Sequence, residues 1–250
     1  MLWAIELEYD GTPFMGWQRQ KHGITIQQVF EEAAAKLCGG EIPASIVAGR
    51  TDAGVHAQGQ MVQIALPEFV PHRLREALNF HLRPRPIVVL RATPAPAGWN
   101  ARFSAVGRSY RYVISNRPAP SALEANRVWH VKAALDVGAM QRAAQVLVGH
   151  HDFSSFRAAA CQAKSPMRTL DSLRVERKDD HVIITAEARS FLHHQVRNMV
   201  GSLKMVGEGK WRESAMARVL QAKSRAAAGP TAPPEGLYFT RITYDPALIF

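Results

Sequence analysis

The chain has 250 residues, 47% of them hydrophobic, and a formal charge of +10 from 31 Lys and Arg against 21 Asp and Glu. That length suits one large domain or two small ones with a real core; the composition excludes a disordered chain, and the basic excess points to a polyanionic partner, nucleic acid foremost. Two distant cysteines, Cys38 and Cys161, allow neither a disulfide framework nor a metal motif. No apolar stretch approaches the ~20 residues of a membrane span, and no cationic-then-apolar leader opens the chain, so a soluble cytoplasmic protein with two free thiols is expected.

Leu2 to Tyr9 reads as a strand that stops at the turn signal Asp10-Gly11. The loop after it, to about Gly23, mixes Phe14 and Trp17 with Arg19 and Lys21. Such a loop either stacks bases and neutralises phosphates or folds its aromatics onto the core, and the sequence leaves both open. Thr25-Ile26-Gln27-Gln28 is a capping-box signature. Behind it Ile26, Val29, Phe30, Ala33, Ala34 and Leu37 keep helical spacing as far as Gly39-Gly40. Short strands are expected over Ile42–Ala48 and Gln60–Leu66, a helix with Pro at its first turn over Pro71–Leu82, and a strand over Pro86–Ala92. The order strand–helix–strand–strand–helix–strand is that of a ferredoxin-like α+β unit.

Pro94-Ala95-Pro96-Ala97-Gly98 is the best boundary signal. It divides the chain into an amino-terminal half, residues 1–97, and a carboxy-terminal half, residues 98–250. In the second half a strand is expected over Gly107–Ser115, with Arg108, Tyr110 and Tyr112 on one face by period two. A helix over Leu135–Val148 follows, then a hairpin of Leu170–Glu176 and Val182–Ala188 about Lys178-Asp179-Asp180. A long helix carrying Leu192, Val196, Met199, Val200, Leu203 and Val206 ends at Gly207; a shorter one spans Arg212–Gln221, and a last strand Leu237–Tyr244. The fold class expected is α+β: two ferredoxin-like halves with antiparallel sheets, helices on one face, and a basic cleft between them. Arginines spread through folded-looking segments favour such a groove over a basic tail.

On the connection between two strands lies Ala48-Gly49-Arg50-Thr51-Asp52-Ala53-Gly54-Val55-His56-Ala57. It sets one carboxylate, Asp52, between two glycines, with a cation at Arg50 and an imidazole at His56. Glycine lets a ligand or another backbone approach, so the stretch reads either as a shaped loop presenting one acid or as a plain surface turn.

This stretch resembles the active-site motif of the TruA family of tRNA pseudouridine synthases. Other segments resemble that family's motifs in the same order. They are Tyr9-Asp10-Gly11-Thr12 with Gly16-Trp17-Gln18, Asn100 to Ala105 with Arg108-Ser109-Tyr110-Arg111-Tyr112, Asp152 to Arg157, Phe191 to Gly201, and Glu235-Gly236-Leu237-Tyr238. The resemblance spans nearly the whole chain. It implies isomerisation of uridine to pseudouridine at positions 38, 39 and 40 of the tRNA anticodon stem-loop, with no cofactor or metal, by a homodimer whose two subunits share the tRNA. It implies Asp52 as catalytic aspartate and nucleophile, Tyr110 at the substrate base, and Arg197 as the basic residue that pairs with the aspartate. Arg50, two residues before Asp52, is placed to hold or replace a flipped nucleotide, and Arg102, Arg108, His56 and Leu237 are the remaining RNA contacts expected.

The residue types suit that chemistry. Cleaving an N-glycosidic bond leaves C1′ electron-deficient, and a carboxylate meets it covalently or as a counter-ion. A hydrolase would want a second carboxyl group for the leaving group or water; an isomerase must hold the detached base and exclude water, which suits one acid and an aromatic wall. A nearby cation lowers a carboxylate pKa by ~1–3 units, the role open to Arg197, with His193 expected one helical turn before it. Tyr110 offers a ring worth ~1–3 kcal/mol in base stacking, and a buried target base must be flipped out to reach Asp52. On a helix His193 and His194 would point apart and make a poor metal site. Three other readings compete: a non-catalytic tRNA-binding or RNA-folding module, an aspartic protease, which needs two acidic loops where one is found, and a nuclease, which needs a carboxylate cluster for metal.

Overall fold

The computed structural model describes residues 1–248 and contains ten strands and five α-helices among them. The chain forms two compact units: Met1–Gly107 with the chain from Tyr238 on, and Arg108–Leu237.

The first unit opens with β1 (Leu2–Tyr9), whose Trp3, Ile5 and Leu7 are fully buried. In α1 (Ile26–Ala35) the Thr25 side chain accepts the Gln28 N–H at 3.3 Å, which satisfies one of the helix's free amides. The helix stops where Gly39 and Gly40 take positive φ, with Gly40 N–H closing on Ala35 O at 2.9 Å. Then come β2 (Ser45–Val47) and β3 (His56–Ala65). The first is shorter than the expected Ile42–Ala48, and the second begins four residues before Gln60. Next are α2 (Pro71–Leu82), with Leu74, Leu78 and Leu82 buried, and β4 (Ile87–Pro94). The Asn79 amide bonds both the N–H and the C=O of Val89, tying α2 to β4. The sheet order is β4-β1-β3, with β2 on the other edge of β3, and all these pairs are antiparallel. This is the ferredoxin-like arrangement read from the element order.

The second unit carries β5 (Ala105–Ser115), from Arg108 on, and β6 (Trp129–His130). Its first helix, α3 (Val137–Gln145), is capped by Asp136, whose side chain accepts the Ala139 N–H at 2.9 Å. After β7 (Gly149–Asp152), the hairpin of β8 (Met167–Lys178) and β9 (His181–Ala188) turns at Asp179, which takes a left-handed φ of 52°. Two helices follow, α4 (Gln195–Gly207) and α5 (Ala215–Ala222). The antiparallel sheet runs β5-β9-β8-β7. The short strands β6 and β7 have too few residues for an alternating pattern to show in the sequence.

The last strand, β10 (Leu237–Tyr244), returns from Tyr238 to the first unit. It pairs in parallel with β3, Tyr238 opposite His56 and Phe239 opposite Ala57. This return, and the chain after the Pro-rich stretch, set the units apart from the division expected at residue 97. Pro94–Gly98 is a bend and not a linker: Ala95 N–H bonds Leu2 O, and Trp99 beyond it is 2% exposed. Trp99 and Ala101 pack with Ala4, Ala48 and Met61 in a cluster joined by Ile242 and Tyr244. The Tyr244 hydroxyl donates to Ala101 O at 2.7 Å, and Ala101 N–H to Gln63 Oε1 at 3.0 Å. The first unit therefore keeps the chain as far as Gly107. Among the described residues no helix is long and apolar enough to cross a membrane. Cys38 and Cys161 are free thiols, the first half-buried and the second buried.

Candidate active-site loop and its supports

The loop from Ala48 to Val55 has no regular structure of its own, so other segments must fix its shape. It enters from β2, where Ala48 N–H bonds Met61 O at 2.9 Å, and leaves into β3. Between these points Asp52 is half-buried, Arg50 is exposed and Thr51 is buried. Gly54 takes a φ of +76°, and Val55 N–H closes the turn on Asp52 O at 3.2 Å.

The loop of residues 10–20 lies directly against it. A Cβ on Gly11 would stand 2.0 Å from Val55 O, and one on Gly16 2.7 Å from Thr51 O. Both glycines are there because the two backbones touch. Trp17 N–H donates to Thr51 O at 3.0 Å, and Gly54 N–H to Phe14 O at 3.4 Å. Phe14 and Trp17 are 2% and 1% exposed. These aromatics fold onto the core, which decides the choice left open by the sequence against base stacking by that loop.

His56 is 3% exposed and stacks on Tyr238 with ring centroids 4.8 Å apart. Its Nδ1 accepts the Gly11 N–H at 3.1 Å, with the Asp10 carboxylate also at 3.1 Å. This imidazole, expected as an RNA contact, braces the 10–11 turn. Leu237, another expected RNA contact, is 5% exposed and packs inside.

Beneath both loops lies a buried carboxylate that hydrophobic patterning hid. Glu31, on the inner face of α1 and 4% exposed, accepts from Arg19 Nε and Nη2, Gln27 Nε2, Ser45 N–H and Ser45 Oγ. It thereby joins the 10–20 loop, α1 and the start of β2, the strand that delivers the Asp52 loop. The visible signal is a charge beside Phe30 on an otherwise apolar stripe.

In the second unit, Tyr110 stands on β5 opposite Ala186, half-buried, its ring edge-on to Phe191 at 5.1 Å. Tyr112 is fully buried, and its hydroxyl donates to Pro233 O at 2.7 Å. Burial, chiefly, pushes that phenol's pKa up; the nearby Glu235 carboxylate adds to the rise and Arg197 opposes it. Arg197 lies in the first turn of α4, half-buried, and donates from Nε to Ala232 O at 2.8 Å, while Ala232 N–H returns to Arg197 O at 3.1 Å. Three further contacts lace residues 229–232 to the helix. Thr231 Oγ1 donates to Asn198 Oδ1, Gly229 N–H to Ser202 Oγ, and a Cβ on Gly201 would meet Pro230 O at 1.7 Å. Asn198, fully buried, spends its amide N–H on Phe156 O.

The helix does not begin where expected. His194 adopts a left-handed φ of 63°, and Gln195 Oε1 accepts the Leu192 N–H at 2.8 Å, so α4 starts at Gln195. His193 is therefore not a helical neighbour of Arg197. Its ring also does not diverge from that of His194: the tight turn brings the centroids to 4.0 Å. Arg108 donates from Nη1 to Arg189 O. Arg102, in the first unit, is exposed with its guanidinium 5.5 Å from the Phe103 ring centre. Asp52, Arg50 and Arg102 thus belong to the first unit, and Tyr110, Arg108 and Arg197 to the second.

Residues 6–104 and 143–245 match the family described as tRNA pseudouridine synthase. The chain belongs to that family. It is 60% identical over 245 residues to tRNA pseudouridine synthase A of Acidiphilium cryptum, covering 97% of this chain and 96% of the relative. It is 56% identical to the protein of that name from Paramagnetospirillum magneticum, over 97% and 95% of the two chains. The Rhodospirillum centenum protein is also 56% identical, over 97% and 99%. Both matched segments of the tRNA pseudouridine synthase family carry the braced features: the Asp52 loop with its glycine contacts lies in the first, and α4 with the 229–232 segment in the second.

Proposed function

We propose that this tRNA pseudouridine synthase family member isomerises uridine to pseudouridine at positions 38, 39 and 40 of the tRNA anticodon stem-loop, in the cytoplasm and as a homodimer, with Asp52 as nucleophile. The observation that carries the reading is the single carboxylate held half-exposed on a loop whose shape is dictated by two glycine contacts and a buried polar support. Such rigidity is what a reacting group needs and a surface turn does not.

In this reaction the N1–C1′ bond breaks and a C5–C1′ bond forms; the C5 hydrogen leaves as a proton and N1 gains one. Asp52 meets the electron-deficient centre. Tyr110 supplies the wall for the detached uracil, since a ring fixed edge-on by Phe191 loses little freedom on stacking. Arg197 supplies the cation, its guanidinium anchored through Nε to Ala232 O. Arg50, Arg102 and Arg108 hold phosphate and the flipped nucleotide, in keeping with the +10 charge.

Release of tritium from tRNA carrying 5-tritiated uridine tests the reading. The wild type releases tritium, whereas Asp52→Asn loses at least about 10⁴-fold in rate while still binding tRNA. A fully active Asp52→Asn, or a wild type that releases none from any tRNA, overturns it.

A further inference from the structure

Under the Asp52 loop three buried side chains form a closed polar set that none of the loop contacts above requires. Tyr9, Thr51 and Gln60 are 2%, 7% and 0% exposed. Gln60 Nε2 lies 2.7 Å from Gly49 O and 3.3 Å from Tyr9 Oη, and Tyr9 Oη lies 2.9 Å from Thr51 Oγ1. The directions of the two Gln60 bonds follow from donor type. The short contact with a carbonyl requires the amide nitrogen, not the oxygen, to face Gly49. That nitrogen can only donate, so Tyr9 accepts from it. The two hydroxyls of Tyr9 and Thr51 then share one hydrogen bond, in which either oxygen can donate. Gln60 Oε1 has no partner among the described residues, so this side chain leaves a buried acceptor idle while its amide donates to Gly49 O in the loop and to Tyr9 Oη on β1. Burial, weighed against the bonds with Thr51 and Gln60, pushes the Tyr9 phenol up to about 12. Its proton therefore stays in place across the physiological range.

We infer that Tyr9, Thr51 and Gln60 are positioning residues for Asp52, fixing the chain on its amino-terminal side so that the carboxylate is presented in one orientation. Gly49 is held by its carbonyl and Thr51 by its hydroxyl, and Trp17 N–H takes the Thr51 carbonyl. Two of the three residues leading into Asp52 thus have no freedom to rotate. None of the three side chains need touch substrate. Their effect falls on the rate of the chemical step and not on tRNA affinity, because misplacing a reacting group costs rate at unchanged binding. This inference rests on the proposed role of Asp52.

Single-turnover tritium release, tRNA Kd by filter binding, and thermal midpoint are compared for wild type, Tyr9→Phe, Thr51→Val and Thr51→Ser. Tyr9→Phe and Thr51→Val slow the single turnover at least about tenfold with Kd within about twofold, and Thr51→Ser, which restores the hydroxyl, stays within about threefold of wild type. The two damaging changes together cost little more than the larger alone, since they break one chain of bonds. Full-speed Tyr9→Phe and Thr51→Val in an active background overturn the inference while leaving the proposed function intact. So does a Thr51→Ser as slow as Thr51→Val, or a rate loss matched by a loss of affinity. Should Thr51→Val fail to fold, Tyr9→Phe and Thr51→Ser decide in the same way. A wild type that releases no tritium removes the proposed function and this inference together.

Discussion

The Asp52 loop of the first unit and the amino-terminal turn of α4 in the second carry candidate site residues on different kinds of support. The loop has no hydrogen-bonded repeat, and beyond its one internal turn bond, Val55 N–H to Asp52 O, its constraints come from outside: Gly11 and Gly16 against its backbone, Gln60 and Tyr9 beneath it, and Glu31 under its entry. The α4 turn supplies its own backbone bonds, and the helix serves instead as a rail to which residues 229–232 are laced through Arg197, Asn198, Gly201 and Ser202. A loop needs a mould; a helix needs only a partner. The two should therefore fail differently when equivalent contacts are broken.

The largest effects fall on the glycines. Gly11→Ala places a methyl 2.0 Å from Val55 O, and Gly201→Ala places one 1.7 Å from Pro230 O. Both obstacles are backbone, which cannot swing aside, so each change costs about 3 kcal/mol or more. Urea unfolding at constant m measures the loss. The comparison predicts a further difference at temperatures where both variants remain folded. Gly11→Ala reshapes the mould and slows tritium release well beyond its unfolded fraction. Gly201→Ala displaces the laced segment from a helix that still holds its turn, and loses activity roughly as it loses folded protein.

These features also mark what the sequence could and could not reveal. The ferredoxin-like element order of the first unit, the capping of α1 by Thr25 and the leucine stripe of α2 are local patterns and were readable. The Asp52 stretch was readable as a candidate through the ordered set of family-like motifs, since one acid between two glycines also suits a plain surface turn. The left-handed His194 that starts α4 late, the return of β10 to the first unit and the burial of Trp99 depend on contacts distant in sequence, which periodicity does not encode. The same holds for Glu31: its five donors come from three segments, and only a charge on an apolar stripe hinted at them. The burial of His56 and Leu237, both expected as RNA contacts, is likewise set by contacts distant in sequence.

A second contrast concerns the buried phenols, one in each unit. Tyr9 is pushed up to about 12, and Tyr112 is raised as well, burial being the first cause for both. An unfolded tyrosine ionises near ~10. Above that pH the unfolded chain sheds a proton that the folded chain keeps, so stability falls as pH rises. The contribution is complete below about pH 10 and, for Tyr9, is lost between about pH 10 and pH 12, a loss of about 3 kcal/mol. Alkaline urea titrations of the wild type should show this decline, and Tyr9→Phe should remove the Tyr9 part. Tyr112→Phe should flatten the curve too, but without slowing tritium release as Tyr9→Phe does, because its hydroxyl serves the Pro233 carbonyl and not the Asp52 loop. Equal kinetic damage from the two would end the distinction between mould and rail.

The smallest test separates the polar hubs. Glu31 gathers the first unit's supports with a charge, whereas Asn198 gathers the second unit's with a neutral amide. Deleting the Glu31 carboxylate strands donors of unequal exposure. Arg19 is 38% exposed in its side chain and turns to water, but the Ser45 N–H sits at the entry to the loop. Glu31→Ala should therefore cost about 2 kcal/mol, most of it from buried donors left without an acceptor. Arg19→Ala should cost no more than about 1 kcal/mol, because a half-exposed ion pair is screened and Glu31 keeps three other donors. Raising the salt concentration should shrink the Arg19 effect and leave that of Asn198→Ala untouched, since no net charge is involved there. Unfolding midpoints in low and high salt measure all three. An Arg19→Ala as damaging as Glu31→Ala would mean that the ion pair, and not the network of neutral donors, carries the support beneath the loop.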